Sequence, residues 1–391
     1  MNDNAYRYLV VGGGMTGDAV CQGIRSVDEK GSIGLVGEEP DPPYKRPPLT
    51  KGLWSGGAEE KIWRNTADRD VDLHLGRRIV RIDPAAGKAV DDSGDEYGYE
   101  KLILATGGRA RRLPKDGNGV VYFRTLGDYR HVRSLSDEGA RFVVIGGGFI
   151  GSELAASLRS QGREVTMVFP EDGVGWRTFP ASLSTAVTDY YRDKGIEVLA
   201  GTLVGSVEQG GVRLEDGRLL EADAVVAGLG IEPNVELAAE AGLPVEAGIV
   251  VDDHARVQGA DNVWAAGDVA QFPIAALGRS GRIEHEDHAN NHGRLAGANA
   301  AGADQVYDRL PFFYSDLFDL GYEAVGELDS RLQTVEVWQE PARKGVVAFV
   351  DGESRPRGVL LWNVWDRVDA ARELIVAGKP VGEAEVGALA G

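Results

Sequence analysis

The sequence predicts an α/β protein with two Rossmann-like dinucleotide-binding domains and a small C-terminal α+β domain. A glycine-rich turn directly follows an apolar run near the start of the chain, and a second copy of this unit begins at about residue 141. Beyond about residue 305 the chain changes to strand-like runs with several tryptophans. A repeated strand–turn–helix unit indicates a parallel sheet, and the last segment is typical of a separate small domain.

The first glycine-rich turn lies in residues 8–17, which read YLVVGGGMTG. Its apolar start predicts a strand, and a helix is expected from about Thr16. Gly12, Gly14 and Gly17 match G-x-G-x-x-G, in which the first glycine permits the tight turn, the second lets backbone approach a pyrophosphate and the third lets the helix pack on the strand. The phosphate is expected at the helix N-terminus, where free N–H groups and the helix dipole favour an anion.

An acidic residue follows the second predicted strand at the expected spacing. The helix is expected to end near residue 27 and the strand to cover residues 32–36. Glu38 comes 38 − 17 = 21 residues after the last glycine of the turn. At that distance an acid accepts hydrogen bonds from an adenosine ribose. The neighbouring Glu39 is interpreted as a surface acid of the loop.

A proline-rich segment follows at residues 39–54, which read EPDPPYKRPPLTKGLW. Its prolines preclude a regular helix and predict a stiff, extended loop. Such a loop is suited to holding Arg46 and Lys51 in place. Residues 71–104 predict short strands and turns, and the run at 101–107, KLILATG, predicts a buried strand closed by a turn of small residues.

The second glycine-rich turn lies in residues 141–151, RFVVIGGGFIG. A helix to about residue 161 and a strand at 164–169 are expected next. Glu171 lies 171 − 151 = 20 residues after the last glycine. The fingerprint positions are taken by Gly146, Gly148 and Gly151. Two complete units, each with the right context and spacing, predict two bound dinucleotides.

The rest of the chain predicts the following elements. A helix is expected from Pro180, which suits a first helical position, to near Gly195. Residues 262–270, NVWAAGDVA, predict a strand that leads to an exposed Asp268, whose natural partner is a hydroxyl-rich ligand because an unpaired buried charge is costly. The remaining expectations are a strand ending near 224–234, a helix at 288–303, strands at 332–338, 344–350 and 357–362, an amphipathic helix at 366–377 and a frayed tail after 378.

Composition bounds the function. The formal charge of the 391 residues is 42 − 61 = −19, whereas a protein that binds duplex nucleic acid normally shows a basic footprint. Cys21 is the only cysteine, so an internal disulfide and a redox-active pair are excluded. Neither a secretory signal nor an apolar run of membrane-spanning length is visible, which favours a soluble cytoplasmic protein without membrane insertion.

These motifs together resemble the flavoproteins with two dinucleotide-binding domains. The likeness is to the oxygenase-coupled ferredoxin reductases and, more closely, to apoptosis-inducing factor and its bacterial relatives. It extends over almost the whole chain. The residues that carry it are the two turns, residues 44–51 (YKRPPLTK), 146–155 (GGGFIGSELA), 169–171 (FPE), 230–233 (GIEP), 266–268 (AGD), 284–289 (EHEDHA), 314–326 and 361–364 (LWNV).

The resemblance implies FAD on the first turn and NAD(H) on the second. It implies an FAD-binding domain at 1–114 and 245–304, an NAD(H)-binding domain at 115–244 and a C-terminal α+β domain at 305–391. By position, the FAD contacts would be Gly12, Gly14, Gly17, Glu38, Arg46, Lys51, Arg124, Asp268, His285 and, as a flavin-stacking residue, Tyr314. The NAD(H) contacts would be Gly146, Gly148, Ile150, Gly151, Glu171, Arg177, Gly230, Glu284, Glu323 and Asn363.

The resemblance also implies an ion pair of Lys51 with Glu153 beside the flavin. A cation at that place favours a reduced, anionic flavin. Helix geometry alone interprets Glu153 as a surface acid in the first turn of its helix. Tyr314 stands where the family often has tryptophan. Only a short turn separates Trp338 from Val346, where apoptosis-inducing factor carries a long insertion.

The predicted activity is hydride transfer from NADH to the flavin and electron release to a ferredoxin-like or quinone-like acceptor. Glu171 favours NADH because it would bond a ribose 2′-OH and repel a 2′-phosphate, although Arg177 softens that discrimination. Three further interpretations stay open: a redox-responsive protein with a stable complex of reduced flavin and NAD, an NADH oxidase that makes peroxide, and a homodimer. No metal site is expected, because the histidines at 285, 288 and 292 do not form H-E-x-x-H.

Overall fold

The structure is a computed structural model that describes residues 4–114 and 119–391. The described residues form two compact units. Unit 1 comprises the chain up to Arg46, Ala58–Arg109 and Glu232–Pro311. Unit 2 comprises Pro47–Gly57, Ala110–Ile231 and Phe312–Gly391.

The first half of the chain holds these elements. From the start they are β1 (Ala5–Val11), α1 (Met15–Arg25), β2 (Ile33–Gly37), β3 (Asp72–Leu75), β4 (Ile79–Asp83), β5 (Lys88–Asp91), β6 (Glu96–Leu104) and β7 (Gly108–Ala110). They continue as β8 (Val120–Tyr122), α2 (Leu126–Asp137), β9 (Phe142–Ile145), α3 (Phe149–Ser160), β10 (Val165–Val168), α4 (Ala181–Asp193), β11 (Glu197–Leu199), β12 (Val204–Glu208), β13 (Gly211–Leu214), β14 (Leu219–Glu221) and β15 (Ala224–Ala227).

The second half begins with β16 (Ile231–Pro233), α5 (Glu236–Glu240), β17 (Ile249–Val250), β18 (Val263–Ala265), β19 (Ala270–Ile274), β20 (Arg279–Gly281) and α6 (Glu286–Ala300). It ends with β21 (Phe312–Leu317), β22 (Leu320–Gly326), β23 (Gln333–Glu340), β24 (Lys344–Val350), β25 (Pro356–Trp362), α7 (Val368–Ala377) and α8 (Glu383–Ala390). Short 3-10 turns lie at Pro47–Thr50, Glu59–Lys61, Thr66–Arg69, Gly267–Val269 and Ala275–Leu277.

Unit 1 is built on one sheet with the strand order β3-β2-β1-β6-β5-β4, to which β18 adds beside β6. Strands β3, β2, β1, β6 and β18 run parallel, while β4 and β5 are antiparallel. The residues of β2 are all buried, as expected for a strand covered on both faces. The parallel strands end at one edge, and the turn from β1 into α1 lies at that edge.

Unit 2 repeats this plan and also carries antiparallel sheets. Its parallel sheet has the order β11-β10-β9-β15-β8, with the turn from β9 into α3 at the carboxyl edge. A three-stranded antiparallel sheet has the order β12-β13-β14. A five-stranded sheet has the order β21-β22-β25-β24-β23, and all of its pairs are antiparallel. This sheet and helices α7 and α8 form the small α+β part that the sequence predicts.

The end of the chain is not frayed. Helix α8 begins after Gly382, whose N–H donates to Glu385 Oε2 at 2.9 Å, and it buries Val386 and Leu389. The amide of Gln339 on β23 donates to the Ala390 carbonyl at 2.9 Å. The expectation of a frayed tail is therefore wrong, because apolar residues spaced three apart give even this glycine-rich segment a face to bury.

The α/β fold class with Rossmann-like sheets and a small C-terminal domain is confirmed. Among the described residues, no helix combines the length and the apolar character needed to span a membrane.

Candidate cofactor-binding site

The first glycine turn has the backbone that the fingerprint requires. Gly12 has a φ of +125°, and a Cβ placed on it would lie 2.1 Å from the Ala105 carbonyl oxygen. A Cβ on Gly17 would lie 2.0 Å from the Gly12 carbonyl oxygen. Gly14 is different, since the nearest atom to its Cβ position is Arg46 Nη2 at 4.0 Å. Backbone packing thus requires glycine at positions 12 and 17. At position 14 there is room for a Cβ, and glycine there leaves the backbone open to a ligand.

The second turn repeats this pattern. Gly146 has a φ of +117°, and a Cβ on Gly151 would lie 2.1 Å from the Gly146 carbonyl oxygen. A Cβ on Gly148 would meet no described atom within 4 Å. Gly148 is the N-cap of α3 as Gly14 is of α1, and neither cap makes a side-chain hydrogen bond to its helix.

Both turns therefore fit a dinucleotide. A pyrophosphate needs a backbone without Cβ atoms at its point of approach and N–H groups that no side chain has capped. Gly14 and Gly148 meet the first condition, and the N-termini of α1 and α3 meet the second.

The acids that follow the two turns differ in their partners. Glu38 is exposed directly after the end of β2. Glu171 follows β10 and forms an ion pair with Arg177, whose Nη2 lies 2.6 Å from Glu171 Oε1. The Arg177 side chain is 83% exposed and that of Glu171 is 22% exposed. The two residues that decide between NADH and NADPH in the sequence argument are thus bonded to each other.

Lys51 and Glu153 meet, both in unit 2. Lys51 Nζ lies 2.6 Å from Glu153 Oε1, and it stands 5.3 Å from the centroid of the Tyr314 ring. Glu153 is 4% exposed, so its interpretation as a surface acid is wrong. Thr50 and Ser315 also donate hydroxyl hydrogen bonds to its carboxylate, each at 2.6 Å. The carboxylate is buried because these donors replace water around it.

Three of the predicted FAD contacts in unit 1 are titratable side chains, namely Arg46, Asp268 and His285. Arg46 donates to Glu39 Oε1 and to the Tyr44 hydroxyl, so Glu39 is half-buried in an ion pair rather than a free surface acid. Asp268 lies in the 3-10 turn before β19 and is half-buried rather than exposed, because its neighbours in the turn, Gly267 and Val269, are buried. Burial lowers the pKa of His285 to about 4, although the charge of Asp268 acts in the opposite direction. This imidazole is therefore neutral at pH 7.

The other two histidines of this motif are buried inside unit 1. His288 and His292 are both 0% exposed on α6, with ring centroids 4.7 Å apart. His288 Nδ1 is 2.9 Å from the Tyr307 hydroxyl, and His292 Nδ1 accepts from the Gly267 N–H at 3.3 Å. Burial lowers the pKa of both, that of His288 to about 3. These two histidines are part of the core of unit 1, and His292 contacts the backbone next to Asp268.

The remaining predicted residues are placed as follows. Glu284 lies in unit 1, 2.6 Å from Arg282 Nη2. Glu323 lies on β22, and burial raises its pKa, with further help from Asp366; its Oε2 has no hydrogen-bond partner among the described residues.

Asn363 Oδ1 accepts from the Gly321 N–H, and its amide donates to the Arg343 carbonyl, both at 2.8 Å. Gly230 has a φ of +81° with an open Cβ position, Ile150 is half-buried on α3 and Arg124 is half-buried before α2.

Sequence reasoning missed three residues of these clusters. It gave no role to Thr50 or Ser315, although each adjoins a residue that it did select, Lys51 or Tyr314. It also missed Asp18 in the first turn of α1, which is fully buried among arginines. The signal available for Asp18 was a carboxylate in an otherwise apolar helix start.

Fold and turns together define a protein that holds two dinucleotides on two Rossmann-like sheets. The family model described as pyridine nucleotide-disulphide oxidoreductase matches residues 6–293, and the model described as the C-terminal part of apoptosis-inducing factor, mitochondrion-associated, matches residues 296–353. The chain belongs to the pyridine nucleotide-disulphide oxidoreductase family. That family implies FAD and NAD(P)H, and with Cys21 as its single cysteine this member has no disulfide pair.

The relatives include ferredoxin reductases, monodehydroascorbate reductases and an apoptosis-inducing factor. The ferredoxin–NAD(+) reductase component of the anthranilate 1,2-dioxygenase system of Burkholderia cepacia is 36% identical, over 95% of this chain and 94% of its own. Apoptosis-inducing factor 1, mitochondrial, of Dictyostelium discoideum is 31% identical, over 95% and 78%. The reductase in the covalent putidaredoxin reductase–putidaredoxin complex superposes with a TM-score of 0.89 at 29% identity, over 100% and 96%. The chain is thus a ferredoxin reductase-like NAD(P)H oxidoreductase.

Proposed function

We propose that the protein is an FAD-dependent NADH oxidoreductase that passes electrons to a ferredoxin-like or quinone-like acceptor. The observation that carries this proposal is the duplicated glycine turn with an open middle position, Gly14 and Gly148, in a chain with one cysteine. A dithiol relay needs two thiols, so the electrons leave the flavin directly. Bound FAD supplies the conversion of a two-electron hydride donor into one-electron steps.

The domain assignment follows from the two turns. The FAD-binding domain comprises 1–114 and 245–304, the NAD(H)-binding domain 115–244 and the C-terminal domain 305–391. FAD is assigned to Gly12, Gly14, Gly17, Glu38, Arg46, Lys51, Arg124, Asp268, His285 and Tyr314. NAD(H) is assigned to Gly146, Gly148, Ile150, Gly151, Glu171, Arg177, Gly230, Glu284, Glu323 and Asn363.

Lys51 and Glu153 are assigned the catalytic roles. Glu153 fixes the Lys51 ammonium through the 2.6 Å ion pair, and the Tyr314 ring lies under it. A fixed cation beside the isoalloxazine ring favours the uptake of negative charge, because it is oriented before the charge arrives. Exchange of Lys51 for Met should therefore slow flavin reduction by NADH without loss of FAD.

NADH is the proposed donor nucleotide. The carboxylate of Glu171 follows β10, where it would bond the ribose 2′-OH and repel a 2′-phosphate. Arg177 Nη2 lies 2.6 Å from Glu171 Oε1. This ion pair supports the preference for NADH, because a guanidinium that is already paired with a carboxylate attracts the 2′-phosphate of NADPH less strongly.

Turnover with defined acceptors tests the proposal. The purified holoenzyme is mixed with NADH and either a two-iron ferredoxin that reduces cytochrome c, a soluble quinone, or oxygen alone. We expect fast, acceptor-dependent oxidation of NADH with the ferredoxin or the quinone. Peroxide formed at the full rate with oxygen alone would instead make the protein an NADH oxidase.

A redox-responsive role is the second candidate, favoured by the match of residues 296–353 to the C-terminal part of apoptosis-inducing factor. In that case NADH would reduce the flavin quickly while every acceptor is reduced slowly, and a long-wavelength charge-transfer band would persist for minutes. Size-exclusion chromatography with and without NADH would then report a change in oligomeric state.

A further inference from the structure

Two hydroxyl groups hold the carboxylate that in turn holds Lys51. Thr50 Oγ1 donates to Glu153 Oε2 at 2.6 Å, and Ser315 Oγ donates to Glu153 Oε1 at 2.6 Å. Lys51 Nζ shares Oε1 at 2.6 Å. Three donors thus bind a carboxylate that is only 4% exposed.

These hydroxyls are themselves fixed, each by a different element of unit 2. The carbonyl of Thr50 accepts a hydrogen bond from Ser157 Oγ of α3 at 2.7 Å. Ser315 lies opposite Tyr322 in the β21–β22 ladder, and their side chains are hydrogen-bonded. The donors therefore approach the carboxylate from a 3-10 turn and from a sheet, and neither moves freely.

We propose that Thr50 and Ser315 are positioning residues that hold the Glu153 carboxylate in one orientation, and thereby set the place of the Lys51 ammonium. The inference rests on the proposed function, in which Lys51 lies beside the flavin. A buried carboxylate needs hydrogen-bond donors in place of the water that it has lost. Without one of the hydroxyls, one carboxylate oxygen loses a donor, the carboxylate can turn, and the ammonium loses its anchor.

The test records the visible spectrum of the oxidised, FAD-loaded holoenzyme and the rate constant of its reduction by NADH. Ser315→Ala and Thr50→Val are expected to move the spectrum away from that of the wild type and toward that of Glu153→Gln, because the ammonium beside the flavin is no longer held. The rate constant of flavin reduction by NADH should fall about tenfold in both variants, as expected for the loss of one hydrogen bond to a charged group.

Conservative and neighbouring variants separate this role from packing. Ser315→Thr and Thr50→Ser keep the hydroxyl and should restore the wild-type spectrum. Ser160→Ala removes a hydroxyl of the same helix α3 that donates to the Ala156 carbonyl at 2.8 Å, away from the cluster, so it should leave the spectrum unchanged. Thermal unfolding of each variant checks that the fold is intact, and if one alanine variant fails to fold, the other and the two rescues carry the test.

Two results would contradict the inference, and they differ. Spectra of Ser315→Ala and Thr50→Val that match the wild type, while Lys51→Met and Glu153→Gln alter the spectrum, would overturn the positioning role alone. If Lys51→Met changes neither the spectrum nor the rate of reduction, Lys51 does not lie beside the flavin, and the proposed role of the ion pair fails as well.

Discussion

The two glycine turns are nearly identical in backbone, yet the helices that follow them bury a carboxylate in different surroundings. In α1, Asp18 is 0% exposed and is bound by Arg64 at 2.6 Å, Arg69 at 3.1 Å, Thr66 at 2.6 Å and Gln22 at 2.6 Å. Two guanidinium groups neutralise it within unit 1. This network fastens the 3-10 turn Thr66–Arg69 to the helix.

In α3, Glu153 has one cation instead of two. The Lys51 side chain keeps 15% of its surface exposed and lies over the Tyr314 ring. Asp18 comes one residue after the last glycine of its turn, and Glu153 comes two residues after. A charge that its partners enclose favours a structural role, whereas an accessible cation fits the ligand-binding role that is proposed for Lys51. The predictions below test that distinction.

The largest expected effect is on stability, from Asp18→Asn. It leaves the Arg64 side chain, 8% exposed, without its carboxylate, and breaking a buried pair costs about 3–5 kcal/mol. Urea unfolding measures the free energy of unfolding. Glu153→Gln is the matched variant and should lose about 1–2 kcal/mol, because Lys51 reaches solvent. Equal losses for both variants would contradict the distinction.

Acid should destabilise unit 1 through its buried histidines. Burial lowers the pKa of His288 and His292, so below the usual value near 6.5 the unfolded chain binds protons that the folded chain does not. The stability is full well above pH 6.5 and falls as the pH drops below it, by about 2 kcal/mol at pH 5 for His288 and by a further amount for His292. Denaturant unfolding at pH 7 and pH 5 measures this loss. His292→Gln should show a smaller difference between the two pH values; an undiminished difference would assign the effect to other groups.

Alanine variants at two positions of the second turn distinguish a glycine that is required for backbone packing from one that is required for the approach of NADH. Gly151→Ala places a Cβ 2.1 Å from the Gly146 carbonyl oxygen and should destabilise the protein by about 1–3 kcal/mol, as overpacking does. Gly148→Ala meets no described atom within 4 Å, so it should cost less than about 1 kcal/mol, as a poorer N-cap of α3, and should raise the Kd for NADH. Calorimetry and NADH titration measure the two effects. Unchanged NADH binding in Gly148→Ala would place the nucleotide elsewhere.

The smallest expected effect concerns the acid of the second unit. Glu171→Ala should lower the ratio of kcat/KM for NADH over NADPH by about tenfold, because a ribose hydrogen bond is lost and Arg177 is released toward a 2′-phosphate. Steady-state kinetics with both nucleotides measure the ratio. In the double exchange with Arg177→Ala, the gain for NADPH should disappear. A ratio unchanged by Glu171→Ala would remove this residue from the site.

The glycine turns could be predicted from sequence because their constraints are local. Gly12 and Gly17 lie five residues apart, and a Cβ on Gly17 would clash with the backbone of Gly12. The surroundings of Glu153 could not be predicted in this way, because Ser315 is 162 residues away in the chain. Asp18 depends likewise on Arg64, 46 residues later. Helix α8 shows the opposite error, in which composition outweighed the spacing of Val386 and Leu389.

Anaerobic titration of the purified protein with NADH tests the central claim most directly, namely that one turn holds FAD and the other accepts NADH. We expect a yellow protein with one FAD per chain, bleached by about one equivalent of NADH and recoloured by a ferredoxin or a quinone. A colourless protein that does not bind added FAD, or a flavin that NADH does not bleach, would contradict the account.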